Sequence, residues 1–139
     1  MSHRILDRVA TPVEHAALAA AVGWQHHFDD EVRASSLRAS LAGVVCVDDD
    51  GSAIGMARAV GDGLQYAYVQ DVIVSPEATG TGIATDLVAR LLELLRPAGD
   101  VELFVGLFAS NDAVGVYESL GFAHEGASGM HQVLVANTD

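Results

Sequence analysis

Two glycines separated by one threonine are the first residues whose type and spacing suggest chemistry. Gly80 and Gly82 lie in the stretch "TGTGIA" (residues 79–84), between an apolar run ending at Val74 and a pattern with helical periodicity. Glycine allows positive φ and close approach of the backbone to a ligand, and a helix N-terminus presents unpaired N–H groups to an anion. The stretch is therefore suited to hold a pyrophosphate, with the threonine hydroxyls as further donors. An ordinary strand-to-helix turn that uses glycine only for its geometry explains the same residues.

Two common phosphate-binding loops do not match the residues around Gly80 and Gly82 fully. The Walker A loop is excluded because no Gly-Lys-Ser/Thr follows the glycines. A Rossmann fingerprint needs glycine or alanine where Thr85 stands, although Glu102 lies at a suitable distance for its acidic residue. The loop also lies in mid-chain, behind an apparent antiparallel meander. A small Rossmann-type dinucleotide binder is kept only as a minor alternative.

Cysteine and metal-ligand patterns offer little further chemistry. Cys46 is the only cysteine and lies on an apolar predicted strand, so we expect it to pack in the core. The stretch "QHHFDDE" (residues 25–31) lacks the spacing of a zinc site, and no metal is predicted. His26, His27 and His131 have an intrinsic pKa suited to proton transfer, although a surface or packing role explains each of them.

These residues must be positioned by alternating strands and helices. "TPVE" (residues 11–14) predicts a capped helix start, and Asp50-Gly51 and Asp62-Gly63 predict chain reversals. A second helix is expected to be capped by Asp29 or Asp30. Strands are predicted at residues 3–9, 44–60 (a hairpin), 64–74, 101–108 and 130–135, and helices at 12–23, 32–41, 81–96 and 111–120.

The predicted elements define an α/β fold. Strand 64–74, helix 81–96 and strand 101–108 form a βαβ crossover with parallel neighbours, and strand 101–108 should be buried on both faces. The whole is expected to be one domain, residues 1–139, with a mixed, mostly antiparallel central sheet. Within strand 64–74, Asp71 should lie on the face opposite Tyr68 and Gln70 unless a β-bulge turns it.

Composition restricts the partners. The 139 residues carry 7 basic and 19 acidic side chains, for a net charge of −12. This balance argues against nucleic acid and favours a cationic small molecule, although a solvated acidic surface explains it as well. No apolar run reaches membrane-spanning length, and the N-terminus lacks a signal-peptide pattern, so a cytoplasmic protein is expected.

The glycine stretch resembles the coenzyme loop of the GNAT family, the acetyl-CoA-dependent N-acetyltransferases. That loop reads (Gln/Arg)-x-x-Gly-x-(Gly/Ala) after a strand that ends in Val-x-Pro. Gly82 and Ala84 match it after "VSPE" (residues 74–77), whereas Thr79 stands where the family has glutamine or arginine. The first position of the motif is therefore altered.

A second motif strengthens the resemblance. The family pattern of an asparagine, then a tyrosine and Gly-Phe is matched by Asn111, Tyr117 and "GF" (residues 121–122), with one residue fewer between Asn111 and Tyr117. "GMARAVGDG" (residues 55–63) is similar to a subgroup of small bacterial members. Because the element order also agrees over most of the chain, the resemblance implies the acyl-CoA N-acyltransferase fold.

The resemblance implies acetyl-CoA as the acyl donor. In the family the pantetheine arm lies like an extra strand between two splayed strands, here 68–74 and 101–107, with an N–H near Ile73 facing the thioester oxygen. The expected coenzyme-binding residues are Val72, Ile73, Val74, Thr79, Gly80, Thr81, Gly82, Ile83, Ala84, Thr85, Asn111 and Tyr117.

The resemblance also implies where protons move. Tyr117, a phenol with an ordinary pKa of about 10, is the expected acid for the leaving thiolate, unless its ring only packs. Asp71 could accept the proton of the amine directly or through water, anchor a cationic substrate, or pair with Arg58; the three histidines are alternative bases. The expected substrate-binding residues are Trp24, His27, Arg58, Tyr68 and Asp71, with core burial as the alternative for Trp24.

The sequence therefore predicts an acetyl-CoA-dependent N-acetyltransferase that acts on a primary amine of a small, cationic molecule. Direct attack of the amine is expected, without an acyl-enzyme, and the chain could form a homodimer. The alternative is a catalytically weak acyl-CoA-binding sensor or regulatory module with the same fold.

Overall fold

The computed structural model describes residues 2–137, in which five strands and four α-helices are present. Short 3₁₀ turns lie at Gln25–His27, Pro76–Ala78 and Asn111–Ala113. The order of the elements is β1 (Arg4–Leu6), α1 (Pro12–Ala21), α2 (Arg33–Arg38), β2 (Ala42–Val47), β3 (Ala53–Gly61), β4 (Tyr66–Val74), α3 (Ile83–Leu95), β5 (Phe104–Gly106) and α4 (Val114–Ser119).

The strands form one sheet in the order β1-β2-β3-β4-β5. Pairing from β1 to β4 is antiparallel, and β4 pairs with β5 in parallel after the α3 crossover. The predicted α/β fold with a mixed, mostly antiparallel sheet is confirmed.

Both predicted chain reversals are confirmed. In the β2–β3 turn, Gly51 has a φ of 82°, and the Asp48 carboxylate accepts two backbone N–H groups. In the β3–β4 turn, Asp62 Oδ1 accepts three backbone N–H groups at 2.9–3.0 Å. Aspartate stabilises such turns because its short carboxylate reaches N–H groups a few positions along the chain.

The two N-terminal helices differ in how they begin. The capping box of α1 is present: Thr11 Oγ1 accepts the Glu14 N–H at 3.1 Å, and Glu14 Oε1 accepts the Thr11 N–H at 2.9 Å. The prediction that Asp29 or Asp30 caps the second helix is wrong, because α2 begins at Arg33 without a side-chain cap. Asp29 instead accepts the backbone N–H of Glu31, and Asp30 pairs with Arg33.

Helices cover both faces of the sheet. Met56 packs with Leu18 of α1 in one buried cluster. A Cβ at the preceding residue, Gly55, would lie 2.9 Å from Leu87 and 3.3 Å from Ile83, both on α3. Because successive strand residues face opposite sides, α1 and α3 lie on opposite faces.

The C-terminal elements depart from the prediction. The chain separates by contacts into one compact unit that ends at Gly106 and another that begins at Leu107, and a single domain stays a prediction.

Burial of strand 101–108 on both faces is wrong: Phe104 is 68% exposed, because β5 is a three-residue edge strand. No strand occurs at 130–135 within the described residues, and Met130, Val133, Leu134 and Val135 are more than 80% exposed. Apolar and β-branched residues give only a tendency, since a strand also requires a neighbour to pair with.

Candidate functional site

The glycine loop begins α3 with left-handed backbone geometry. Gly80 and Gly82 have φ values of 83° and 82°, and Gly82 is the N-cap residue of α3, without a side-chain hydrogen bond at the helix start. A Cβ at either glycine would meet nothing within 4 Å, so the backbone conformation, and not space, requires glycine. The N-terminal N–H groups of the helix lack helical acceptors, which suits an anion.

The threonine hydroxyls of this loop have a different role from the one expected. Thr79 Oγ1 donates to the Ser75 carbonyl at 3.4 Å, and Thr81 Oγ1 donates to the Ala78 carbonyl. Each hydroxyl proton is therefore used within the loop. The N-terminal backbone N–H groups of α3 are therefore the donors that this conformation of the loop leaves for a phosphate.

Strands β4 and β5 stay paired over three residues only. Their register runs from Tyr66↔Phe104 to Tyr68↔Gly106, whereas β4 continues to Val74. Beyond Tyr68 the β4 edge therefore has no strand partner within the unit that ends at Gly106. On its other edge, β4 remains paired with β3 through Ile73 and Val74. The backbone of residues 72–74 thus follows the point where the two strands stop pairing.

A β-bulge at Asp71 changes which way β4 side chains point. Arg58 pairs with Gln70 and Met56 pairs with Ile73, so two β4 residues oppose the single residue Ala57. Asp71 has a φ of 55°, the only positive value among non-glycine residues in the described chain. The predicted alternation thus ends at the bulge, which turns Asp71 to the side of Arg58. A left-handed residue other than glycine costs about 1–2 kcal/mol, which surrounding contacts must offset.

Buried partners hold Asp71 in this conformation. Its Oδ2 accepts hydrogen bonds from Arg58 Nε at 2.8 Å and from His15 Nε2 at 3.2 Å. The residues are nearly inaccessible, at 6%, 8% and 2% exposed for Asp71, Arg58 and His15. Burial by itself raises the pKa of Asp71, but the bonds from His15 and Arg58 outweigh it and hold that pKa below its usual value. The pairing with Arg58, one of three alternatives for Asp71, is present.

The network extends to α2. Arg33 Nε donates to His15 Nδ1 at 3.0 Å, and Arg58 donates to the Ser36 carbonyl, the Ser36 hydroxyl and the Ser40 hydroxyl. Neither His15 nor Arg33 was among the site residues predicted from the sequence. One signal was available, because His15 precedes the buried Leu18 and Ala19 by three and four positions and so belongs to the apolar face of α1.

A pocket of about 200 Å³ opens beside this network. Of the expected substrate-binding residues, His27 and Arg58 line it, and Asp71 contacts Arg58. Tyr68 lies on the same sheet face as Arg58, because it pairs with Val60. Trp24 does not line the pocket; it is 39% exposed and contacts the His27 ring edge-on. The lining residues are His15, His27, Phe28, Asp29, Val32, Arg33, Ser36, Leu37 and Arg58.

Tyr117 and Asn111 belong to the unit that begins at Leu107. Tyr117 is buried in α4 and contacts the Phe122 ring edge-on. Burial raises the pKa of its phenol, so the hydroxyl keeps its proton at neutral pH. Asn111 is exposed at the start of a 3₁₀ turn.

The remaining candidates are placed as follows. Cys46 is fully buried in β2, and burial raises the pKa of its thiol. His26 is exposed, as is His131, which contacts the Phe108 ring. Residues 2–137 contain no group of three or more His, Cys, Asp or Glu side chains placed to hold a metal ion. No helix in that range combines the length and the hydropathy that crossing a membrane requires.

A mixed sheet whose parallel pair is joined through a helix that begins at a left-handed glycine loop is the architecture that the resemblance to acetyltransferases implied. The family model of the acetyltransferase (GNAT) family matches residues 10–122, and the chain belongs to that family.

Named relatives agree with this assignment. Serotonin N-acetyltransferase 2, chloroplastic, of Oryza sativa subsp. japonica is 38% identical over 85 residues, which cover 58% of this chain and 42% of that protein. The chain thus spans less than half of this relative. A GNAT-family acetyltransferase of Streptococcus pneumoniae has a TM-score of 0.80 at 27% identity, covering 96% of this chain and 98% of that one. A probable acetyltransferase of Staphylococcus aureus has a TM-score of 0.84 at 21% identity, covering 96% and 100%, which shows the fold.

The buried Asp71–Arg58 ion pair should contribute to the free energy of unfolding. Asp71→Asn should lower the free energy of unfolding at pH 7 by about 3–5 kcal/mol, because it leaves the Arg58 guanidinium buried without its carboxylate. The pKa of Asp71 is lower in the folded protein than in the unfolded chain, so its contribution is complete above about pH 4 and is lost as the pH falls through the folded value. The difference between wild type and variant should therefore shrink in acid.

Urea unfolding at pH 7 and pH 3 checks this prediction. Arg58→Gln should reproduce much of the loss, and Asp50→Asn, in an exposed hairpin turn, is the matched control. Equal unfolding midpoints for wild type and Asp71→Asn at pH 7 would show that the pair contributes nothing.

Proposed function

We propose that the chain transfers an acetyl group from acetyl-CoA to a primary amine of a small molecule by direct attack. The observation that carries this proposal is the glycine loop with two left-handed residues that begins α3, directly after a strand that loses its parallel partner at Tyr68. A pyrophosphate would bind at the helix start, and the pantetheine arm would follow β4 beyond Tyr68, where its pairing with β5 ends.

The coenzyme would be held chiefly by backbone groups. N–H groups of residues 82–85 would donate to phosphate oxygens, and residues 72–74 would hydrogen-bond the arm. An N–H near Ile73 would stabilise the oxyanion that forms as the amine attacks. Thr79, Thr81 and Asn111 stay proposed coenzyme contacts, the two threonine hydroxyls exchanging their carbonyl acceptors in the loop for phosphate oxygens on binding. Alignment of amine and thioester alone is worth several kcal/mol.

The reaction needs an acid for the thiolate and a base for the amine. Tyr117 would donate to the departing thiolate, which its buried, protonated phenol supports. Asp71 stays a proposed base or anchor, but its ion pair and lowered pKa make it a weak acceptor of protons. Among the three histidines considered as bases, His27 is the one that lines the pocket. The burial of Cys46 supports a mechanism without an acyl-enzyme.

The proposed acceptor is small and cationic. Arg33 and Arg58, which line the pocket, are paired with Asp30 and Asp71, so their positive charges are already balanced. Asp29 is the carboxylate among the lining residues and would bind the cationic group of the amine. A volume of about 200 Å³ admits an aminoalkyl group and not a whole drug-sized molecule. The net charge of −12 would attract cations over longer distances.

Release of the coenzyme A thiol, measured over a panel of amines, tests the function. The panel should contain polyamines, arylalkylamines, aminoglycosides, amino acids and peptides with free N-termini, and the proposal expects turnover with at least one small cation. Acetyl-CoA binding without turnover over the panel would favour the sensor module instead. Protection against heat by NADH and not by acetyl-CoA would restore the dinucleotide-binding alternative.

A cytoplasmic location and a homodimer are also proposed. The exposed apolar side chains at residues 133–135 support self-association, because contiguous exposed apolar surface marks interaction sites. Sedimentation at micromolar concentration would show a single monomeric species if the dimer proposal is wrong.

A further inference from the structure

His15 is buried at the centre of the network between α1, α2 and β4. It lies 2% exposed on the same helix face as Leu18, and both of its ring nitrogens make side-chain hydrogen bonds. Its Nε2 is 3.2 Å from Asp71 Oδ2 and its Nδ1 is 3.0 Å from Arg33 Nε. The two contacts satisfy both polar atoms of the buried ring, and one of them reaches the carboxylate at the β4 bulge.

The partners of His15 define its tautomer. The Arg33 Nε–H can only donate, so Nδ1 of the imidazole must accept and carries no proton. The ring proton therefore resides on Nε2 and is donated to the Asp71 carboxylate. Because both nitrogens are used, His15 is poorly placed to act as a base, although it lines the pocket.

The bond to Asp71 acts where the backbone has an unfavourable conformation. Asp71 has a φ of 55° at the bulge and directly precedes residues 72–74, where the acetyl-CoA arm would bind. Arg58 holds the carboxylate from β3 within the sheet, and His15 holds it from the helix layer. Losing the His15 bond would free the carboxylate on the side of α1 and relax the bulge.

We propose that His15 is a positioning residue, which fixes the β4 bulge through its Nε2–H bond to Asp71 and so sets the backbone that receives acetyl-CoA. This inference rests on the proposed function for the identity of the ligand. The bond itself can be tested without turnover.

Three substitutions separate the two bonds of His15. His15→Gln places an amide N–H near the position of Nε2 and keeps the donor to Asp71. His15→Asn places an amide oxygen near Nδ1 and keeps only the acceptor for Arg33, whereas His15→Leu keeps neither. The dissociation constant for acetyl-CoA, measured by calorimetry, should rise about tenfold for His15→Leu and His15→Asn, as expected for loss of a hydrogen bond to a charged group. For His15→Gln the dissociation constant should stay within about threefold of the wild-type value.

Leu18→Ala, in the same buried face of α1, is the control for stability. It should lower the melting temperature at least as much as His15→Leu but leave acetyl-CoA affinity unchanged. Unchanged affinity in His15→Leu, or an equal loss of affinity in Leu18→Ala, would overturn the inference.

The tautomer gives a readout that does not depend on activity. Nitrogen-15 NMR of the imidazole should show a protonated Nε2 and an unprotonated Nδ1 in the wild-type protein at neutral pH. A proton on Nδ1 would overturn the inference even if the enzyme turns over. If no amine is acetylated while this tautomer and the affinity series are found, the proposed function fails and the positioning role stands.

Discussion

Gly82→Asp is expected to abolish the increase in melting temperature that acetyl-CoA gives to the wild-type protein. The substitution places a carboxylate at the start of α3, where phosphate oxygens should bind, and the two negative charges repel. The space around the Cβ position is open, so the folded structure can accept the side chain apart from the strain of a φ of 82°. Binding should weaken at least about a hundredfold, since several phosphate contacts are affected together.

A matched control exists in the hairpin turn. Gly51 also has a φ of 82° and nothing within 4 Å of its Cβ position, so Gly51→Asp carries the same strain and charge away from the loop. It should bind acetyl-CoA normally. Gly82→Asn separates charge from shape and should lose less affinity than Gly82→Asp. Unchanged acetyl-CoA affinity in a folded Gly82→Asp protein would refute the phosphate assignment.

Tyr117→Phe is expected to lower kcat by roughly 100- to 10,000-fold, the usual range for general acid catalysis. The KM for acetyl-CoA should change much less, because the hydroxyl contributes only as negative charge develops on the sulfur. The ring contact with Phe122 does not need the hydroxyl, so the fold should persist. Single-turnover rates with a saturating amine measure the effect.

Tyr66→Phe removes a phenol that is 59% exposed on β4 and serves as the control. Its kcat should stay within about twofold of wild type. If Tyr117→Phe lowers the single-turnover rate by less than threefold, Tyr117 is not the acid.

Local sequence signals predicted the elements that depend on neighbours within the chain. The capping box at Thr11 and Glu14 and the two aspartate-glycine turns involve residues at most four positions apart. Side chains so close in sequence meet whenever the turn forms, so their pattern carries the prediction. The helix α3 was predicted for the same reason, since its buried residues recur every three to four positions.

The site required contacts that no local pattern contains. Asp71 meets Arg58, 13 positions away, and His15, 56 positions away, and the bulge that brings them together depends on the β3–β4 register. The prediction allowed a bulge but could not place it, because the extra residue has no signature of its own. The strand expected at 130–135 was wrong for a different reason. Its apolar residues predicted a strand, but a strand forms only with a pairing partner, which the sequence does not identify.

The burial of Cys46 also determines how the protein can be assayed. Its sulfur is inaccessible in β2 and its raised pKa keeps it in the unreactive thiol form, so a chromogenic disulfide reagent should detect released coenzyme A without a background from the folded protein. The same reagent should react with Cys46 only when β2 opens. Labelling of this one thiol in the absence of substrate would therefore count opening events of the central sheet, and a ligand that stabilises the folded state should slow the labelling.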